Sequence, residues 1–265
     1  MDLELTGRAC IVTGATRGIG LATARTLCAE GARVLVVGRD QGRAERAAAD
    51  AARLSGEAAP LALDVTAADA GEAAVDACLE RFGAVEVVVN NAGTSRRVPL
   101  EELTDDDWRE QMELHVMAPL RLMRAAVPPM MERGWGRVVN VCSSSGKRPS
   151  SSNAAYSVSK AAELSLSRVF ADAYAARGVL VNAVAPGPVE SPLWMGEGGL
   201  ADQAAQRQGV SREEALEAAA SKVPLGRFGR EEEVAAVIAF LCSERASDVL
   251  GAAWSVDGGT VQTIV

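Results

Sequence analysis

The 265-residue chain has little of what metal, nucleic-acid and membrane proteins usually need. It has one histidine, His115, and five cysteines, Cys10, Cys28, Cys78, Cys142 and Cys242, with no CxxC or other metal-ligand spacing, so no metal site is expected. An odd, dispersed set of cysteines, mostly in apolar segments, behaves as small hydrophobes and fits a reducing cytoplasm better than a disulfide framework. Lys and Arg number 27 against 35 Asp and Glu, a net charge of −8, with the two signs interleaved. Nucleic acid or an anionic membrane as main partner would need a concentrated cationic footprint, and only the pairs Arg96-Arg97 and Lys147-Arg148 stand out. The start, Met-Asp-Leu-Glu-Leu, lacks the basic and apolar regions of a signal peptide. No apolar run reaches the length of a membrane span. Internal repeats, low-complexity tracts and Pro/Gly-rich linkers are also missing, so the expectation is one domain over residues 1–265 of a cytoplasmic protein.

What is present is ordinary in bulk, 48% hydrophobic and 23% charged, and informative in its order. Short apolar runs at 8–14, 33–39, 60–65, 85–91, 136–143, 179–186 and 252–259 are continuous rather than alternating, as parallel strands covered on both faces are. Ala-rich, charge-striped segments of helix length begin near Gly18, Asp40, Ala67, Thr104, Asn153 and Arg230. Such alternation predicts an α/β fold, a doubly wound sheet of about seven parallel strands with helices on both faces. The rhythm breaks between Gly187 and Pro224, where Leu193, Trp194 and Met195 come early and Ser211-x-x-Glu214 reads as a capping box. A long excursion at a strand's C-terminal end is where such sheets place substrate loops. A substrate lid around 188–223, touching substrate through Trp194 and Met195, is expected; the alternative is a surface insertion without a role.

The first strand ends in TGATRGIG, Thr13 to Gly20. Glycines at 14, 18 and 20 let backbone approach a pyrophosphate and aim the next helix's free N–H groups at it. NNAG follows the fourth strand at Asn90–Gly93, and YSVSK sets Tyr156 and Lys160 four residues apart, with Ser143 standing 13 residues before the tyrosine. PGPVES (186–191) follows the sixth strand and SVDGG (255–259) ends the last. These motifs span nearly the whole chain in order, and through them the protein resembles the compact, single-domain branch of the short-chain dehydrogenases/reductases. The resemblance implies a Rossmann-type fold and a dinucleotide cradled by Thr13, Gly14, Thr16, Arg17, Gly18, Ile19 and Gly20. It also implies contacts from Asp64 and Val65 at the adenine, from Asn91, Ala92 and Gly93 at a ribose, from Tyr156 and Lys160, and from Pro186, Gly187 and Val189.

Members of the family that use NAD usually carry an acidic residue where Gly38 stands. A carboxylate there would repel a 2′-phosphate, whereas arginine binds one. Arg17 and Arg39 stand where NADP-dependent relatives carry basic residues, so NADP(H) is the expected cofactor, although either arginine alone also reads as a solvated surface charge.

Tyr156 and Lys160 at i, i+4 face the same way on a helix. A tyrosine near its free pKa of about 10 needs a nearby ammonium to work at neutrality, and Lys160 supplies it. The resemblance makes Ser143, Tyr156 and Lys160 catalytic, with Ser143 holding the substrate oxygen and Tyr156 giving or taking its proton. Relatives usually carry a fourth residue, an asparagine seven positions past a tryptophan; counting from Trp108 lands on His115. A packed core histidine is one reading, since His115 shares a stripe with Trp108, Met112 and Leu122. The other keeps the relay role through the His115 carbonyl, which Pro119 leaves without an i+4 donor, while the imidazole adds a group titrating near neutrality.

The expected activity is NADPH-dependent reduction of a ketone, 3-oxoacyl or similar, to a secondary alcohol. The look is nearest to 3-oxoacyl-carrier-protein reductases and related ketoreductases. Oxidative alcohol dehydrogenation stays open, as does a catalytically weakened, cofactor-binding regulator in which His115 has cost the relay. Expected partners are a small-molecule or carrier-bound carbonyl substrate and further copies of the chain in a homotetramer, with the tail TVQTIV buried in a subunit contact. Arg96, Arg97, Lys147 and Arg148 read equally as an acidic-handle site and as solvated loop charges.

Overall fold

The structure, a computed structural model, describes residues 1–262. Its strands are β1 (Ala9–Thr13), β2 (Arg33–Gly38), β3 (Glu57–Ala62), β4 (Val87–Asn90), β5 (Gly136–Val141), β6 (Val179–Pro186) and β7 (Ala253–Val256). They form one parallel sheet in the order β3-β2-β1-β4-β5-β6-β7. The order reverses between β1 and β4, and in open sheets of this kind the crevice outside the strand C-termini at such a point is the binding position.

Seven α-helices precede β6: α1 (Gly18–Ala29), α2 (Gln41–Ala51), α3 (Ala70–Phe82), α4 (Asp105–Met112), α5 (Ala118–Arg133), the four-residue α6 (Ser144–Lys147) and α7 (Ala154–Tyr174). Three more, α8 (Pro192–Met195), α9 (Leu200–Gln208) and α10 (Arg212–Ala220), fill the excursion after β6, and α11 (Glu231–Leu241) precedes β7. The continuous apolar runs have the cause assigned to them. Cys10, Val12, Val34 and Val36 pack on one face with Leu27 of α1, Ala47 of α2 and Ile238 of α11. Ile11, Leu35, Val37 and Val88 pack on the other with Val75 of α3, Met123 of α5 and Phe170 of α7. Each such Val, Leu or Ile contributes about 1.5–3 kcal/mol by leaving water.

Helix starts follow local chemistry. Asp40 accepts from the Arg43 N–H ahead of α2, Thr104 and Asp107 close a capping box at α4, and Ser211 and Glu214 close the expected one at α10. Two expectations are corrected. The third strand lies at 57–62 rather than 60–65, because β3 is an edge strand and tolerates Pro60; Leu63, Asp64 and Val65 instead run on beyond the sheet. The helical segment expected from Thr104 is interrupted around His115 by a wider turn, Glu113–Met117, in which the Ala118 N–H reaches back five residues to the Glu113 carbonyl. Pro119 lacks an N–H and its ring crowds the carbonyl four residues earlier, which relieves itself by this widening. Among the described residues no helix is long and apolar enough to cross a membrane.

Candidate active site

The C-terminal strand ends open into one cavity of about 1460 Å³. Its wall takes Gly14, Thr16, Arg17, Gly18 and Ile19 after β1, Arg39 after β2 and Asp64 and Val65 after β3. Asn91, Ala92 and Gly93 follow β4, Ser143 follows β5, Pro186, Gly187 and Val189 close β6, and Tyr156 and Lys160 come from α7. Trp194 lines it from α8. Four expected contacts are not on that wall: Thr13, Gly20, His115 and Met195.

Thr13 and Gly20 support the wall from behind. The buried Thr13 hydroxyl accepts from the N–H groups of Asn91 (3.0 Å) and Ala92 (3.1 Å), and the Asn91 amide donates to the carbonyls of Thr13 (2.9 Å) and Gly14 (3.2 Å). The ends of β1 and β4 are thereby stitched together. A Cβ on Gly20 would come within 2.4 Å of the Gly14 carbonyl oxygen and of the Asn91 amide nitrogen, and Gly14 itself has φ +64, a conformation glycine adopts without strain. Gly38 has a local cause of its own: a Cβ there would lie 2.3 Å from Thr16 Cγ2. The position lacks a carboxylate and is also filled by a neighbour.

Arg17 and Arg39 are exposed at the rim, with no ion pair or side-chain hydrogen bond among the described residues, and Arg43 of α2 lines the same region. Asp64 Oδ1 accepts from the Thr66 N–H (3.0 Å) and hydroxyl (2.7 Å); these bonds, with Arg39 nearby, hold its carboxyl below the usual range. Glycine-lined backbone and unpaired arginines suit a phosphorylated dinucleotide.

Ser143 caps α6, its hydroxyl accepting from the Ser145 N–H at 3.1 Å. Burial raises the Tyr156 phenol above its ordinary value, and the Lys160 ammonium and Ser143 hydroxyl only partly oppose it. Lys160 donates to the Val141 carbonyl (2.9 Å) and to Glu163 Oε2 (2.7 Å). Burial alone would lower the Lys160 pKa; the Glu163 carboxylate, joined by Tyr156 and Cys142, reverses this and the ammonium is retained. Glu163 escaped the sequence reading, although a carboxylate three residues after Lys160 shares its helix face. Cys142 sits beside the same carboxylate, and burial pushes its thiol well up.

His115 is fully buried. The Thr94 N–H donates to Nε2 (3.3 Å), so the ring proton sits on Nδ1 and donates to Ser159 Oγ (2.9 Å), whose hydroxyl donates to the Tyr156 carbonyl (2.8 Å). The ring stands edge-on to Tyr156, centroids 5.3 Å apart. Burial, with Lys160 nearby, drives its pKa well below 6.5. The expectation of an imidazole titrating near neutrality is therefore corrected: it is a neutral strut tying the loop after β4 to the turn carrying Tyr156. A Cβ on Gly93 would meet Nε2 at 3.1 Å, so the strut also shapes the wall.

The family model described as Enoyl-(Acyl carrier protein) reductase matches residues 14–261. The chain belongs to the short-chain dehydrogenase/reductase family. Among its relatives in that family is the 3-oxoacyl-(acyl-carrier-protein) reductase FabG of Thermotoga maritima, 34% identical over 98% of this chain and 100% of that one. Another is the cis-4-hydroxycyclohexanecarboxylate dehydrogenase of Sinomonas cyclohexanicum, 39% identical over 95% and 96%. The crystal structure of a short-chain reductase, L-sorbose reductase from Gluconobacter frateurii complexed with NADPH and L-sorbose, superposes with TM-score 0.93 at 33% identity over 100% of both chains.

The basic and polar candidates sort themselves by partner. Arg96 pairs with Asp107, Lys147 donates to the Ala253 carbonyl (2.5 Å) and Ser255 hydroxyl (3.0 Å), and Arg148 reaches the Thr260 carbonyl at 3.4 Å. Arg97 alone of the four has no such partner for its guanidinium among the described residues. Of the tail, Thr260 lines the cavity and the Val261 N–H donates to Asp257 at 2.8 Å; residues 263–265, part of the expected subunit contact, lie outside the described residues.

Proposed function

We propose that the protein is an NADP(H)-dependent ketoreductase, converting a ketone to a secondary alcohol. The observation that carries this reading is the convergence of Ser143, Tyr156 and Lys160 on the same cavity wall as Arg17, Arg39 and Arg43. β2 and β5 are three places apart in the sheet, about 14 Å at roughly 4.8 Å per strand, a span suited to a dinucleotide lying across the strand ends. Arg17 and Arg39 would hold the 2′-phosphate, Asp64 and Val65 the adenine, the Gly14–Gly20 turn the pyrophosphate, and Gly93 with Lys160 the nicotinamide ribose. The L-sorbose reductase complex with NADPH supports that choice of cofactor.

The reduced cofactor supplies the hydride for the carbonyl carbon. Ser143 donates a hydrogen bond to the substrate oxygen and holds it beside the phenol. Tyr156 transfers its proton to that oxygen as general acid, and the Lys160 ammonium stabilises the phenolate left behind. The His115 carbonyl, denied a donor by Pro119, holds the water through which Lys160 reaches solvent, while its imidazole stays neutral. The excursion over 188–223 acts as the substrate lid. The three named relatives act on unlike carbonyl or alcohol substrates, as expected of a fold that hosts many chemistries, and the 3-oxoacyl class is one member of that range.

We place the protein in the cytoplasm, consistent with its five free, buried cysteines, and as a homotetramer, for which the exposed Val158 and Val169 of α7 supply apolar surface. The test is NADPH and NADH oxidation over β-ketoesters, 3-oxoacyl thioesters and cyclic ketones, with alcohol oxidation in parallel. Steady turnover favouring NADPH and abolished in Tyr156→Phe is expected. Tight NADPH binding without turnover in either direction would favour the cofactor-binding regulator instead.

A further inference from the structure

Arg97 differs from the exposed rim arginines Arg17 and Arg39 in being half-buried in the cavity while its charge has no partner among the described residues. The side chain is half-buried on the wall, and its guanidinium lies 5.4 Å from the Trp194 ring centroid. No carboxylate pairs with it among the described residues, whereas its neighbour Arg96 takes Asp107. The charge next to it is of its own sign: burial first and then Arg207 of α9 depress its pKa.

Side chains of the lid also brace the arrangement. Gln203 Oε1 accepts from the Arg97 backbone N–H (2.9 Å) while Gln203 Nε2 donates to the Gly198 carbonyl (2.9 Å), fixing the loop after β4 to the lid. Trp194 is held edge-on by the buried Phe228, centroids 5.0 Å apart. A partly desolvated, unpaired cation is costly to keep; an anion that arrives with the substrate removes that cost. A planar guanidinium with its fork free matches a carboxylate through two parallel hydrogen bonds.

We propose that Arg97, on its Trp194 platform, is the binding site for a carboxylate carried by the ketone substrate, so that the protein takes an oxo acid with an apolar body. Its kinetic consequence rests on the reductase reading above; its binding consequence does not. The arginine distinguishes the acid from its neutral ester, and the apolar faces of Leu193 and Trp194 carry the body.

Two measurements test it together. The first compares kcat/KM with NADPH for 4-oxocyclohexanecarboxylate and its methyl ester, in the parent protein, Arg97→Gln and the control Arg96→Gln. The parent and the control are expected to prefer the acid by about 10- to 100-fold, the range of a charge-assisted hydrogen bond. Arg97→Gln should lose that preference, the acid falling far more than the ester. The second titrates cyclohexanecarboxylate and cyclohexanecarboxamide into the NADP⁺-loaded proteins. Binding of the carboxylate in the parent and control, lost in Arg97→Gln, supports the proposal. A parent that binds no carboxylate, or an Arg97→Gln that binds it equally, overturns it. If neither ketone turns over, the reductase reading fails for these ketones while the titration still decides on Arg97. If phosphopantetheine is held more tightly than the carboxylate, in an Arg97-dependent way, the guanidinium serves a carrier arm and the carboxylate assignment falls.

Discussion

Glu163 Oε2 lies 2.7 Å from Lys160 Nζ, and the two side chains retain only 2% and 4% of their exposure. The ammonium expected to make Tyr156 acidic is thus compensated inside the protein. Tyr156 and Cys142 share the Lys160–Glu163 environment, His115 feels Lys160, and Lys147 acts on Cys142. The field at the phenol is the sum of a near cation and a near anion.

Glu163→Gln keeps a hydrogen-bonding oxygen for Lys160 and removes the negative charge. Glu163 contributes to raising the Tyr156 pKa, so without it the phenol becomes more acidic. The alkaline limb of ketone reduction and the acidic limb of alcohol oxidation should both move to lower pH. Unchanged pH–kcat/KM profiles would mean that Glu163 only packs. Glu163→Ala, which strands the ammonium, should cost about 3–5 kcal/mol of unfolding free energy in denaturant titrations.

His115→Asn should retain activity within a few-fold, because the imidazole is neutral and the backbone carbonyl is unchanged. A loss of a hundredfold or more in kcat would make the ring itself essential. The same variant tests the buried state through stability. With the folded pKa held well below 6.5, the unfolded chain binds the proton that the native state refuses. His115 therefore favours the fold fully above pH 6.5, and that stability is lost as pH falls toward the folded value, at about 1.4 kcal/mol per pH unit. His115→Asn should flatten that part of the stability curve, whatever its absolute level.

Removing the rim arginines addresses the cofactor. Arg17→Gln with Arg39→Gln should raise the KM for NADPH by about 10- to 100-fold, as two charge-assisted phosphate contacts are lost. NADH kinetics should stay nearly constant. An equal loss with both cofactors would assign the arginines to the shared pyrophosphate.

Gly38 and Thr16 should be coupled. Gly38→Ala drives a Cβ to 2.3 Å from Thr16 Cγ2 and should cost about 1–3 kcal/mol, as overpacking does. Thr16→Ala should recover most of that in the double variant. Additive effects in the denaturation cycle would show that the methyl turns away freely.

Most of the sheet, and the motif residues at its edge, were legible because short-range chemistry specifies them. Continuous Val- and Ile-rich runs mark strands covered on both sides, Asp40, Thr104 and Ser211 carry caps in their own side chains, and the glycine turn needs conformations only glycine adopts cheaply. Pro60 misled the start of β3, since a proline is excluded from a central strand and not from an edge. Glu163 was overlooked because its spacing from Lys160 on α7 says nothing about whether solvent reaches the pair.

The sequence by itself determined the α/β alternation, the order of the motifs and the family they spell, because those depend on neighbours a few residues apart. Only the tertiary structure decided the state of each charge. Arg96 and Arg97 are adjacent in the chain, yet one meets Asp107 and the other faces the cavity on Trp194. His115 is neutral because packing buries it near Lys160, and Thr94 and Ser159 come to its two nitrogens from distant elements. Charge in a protein is set by burial and by partners across space, and those are fixed only when the elements pack.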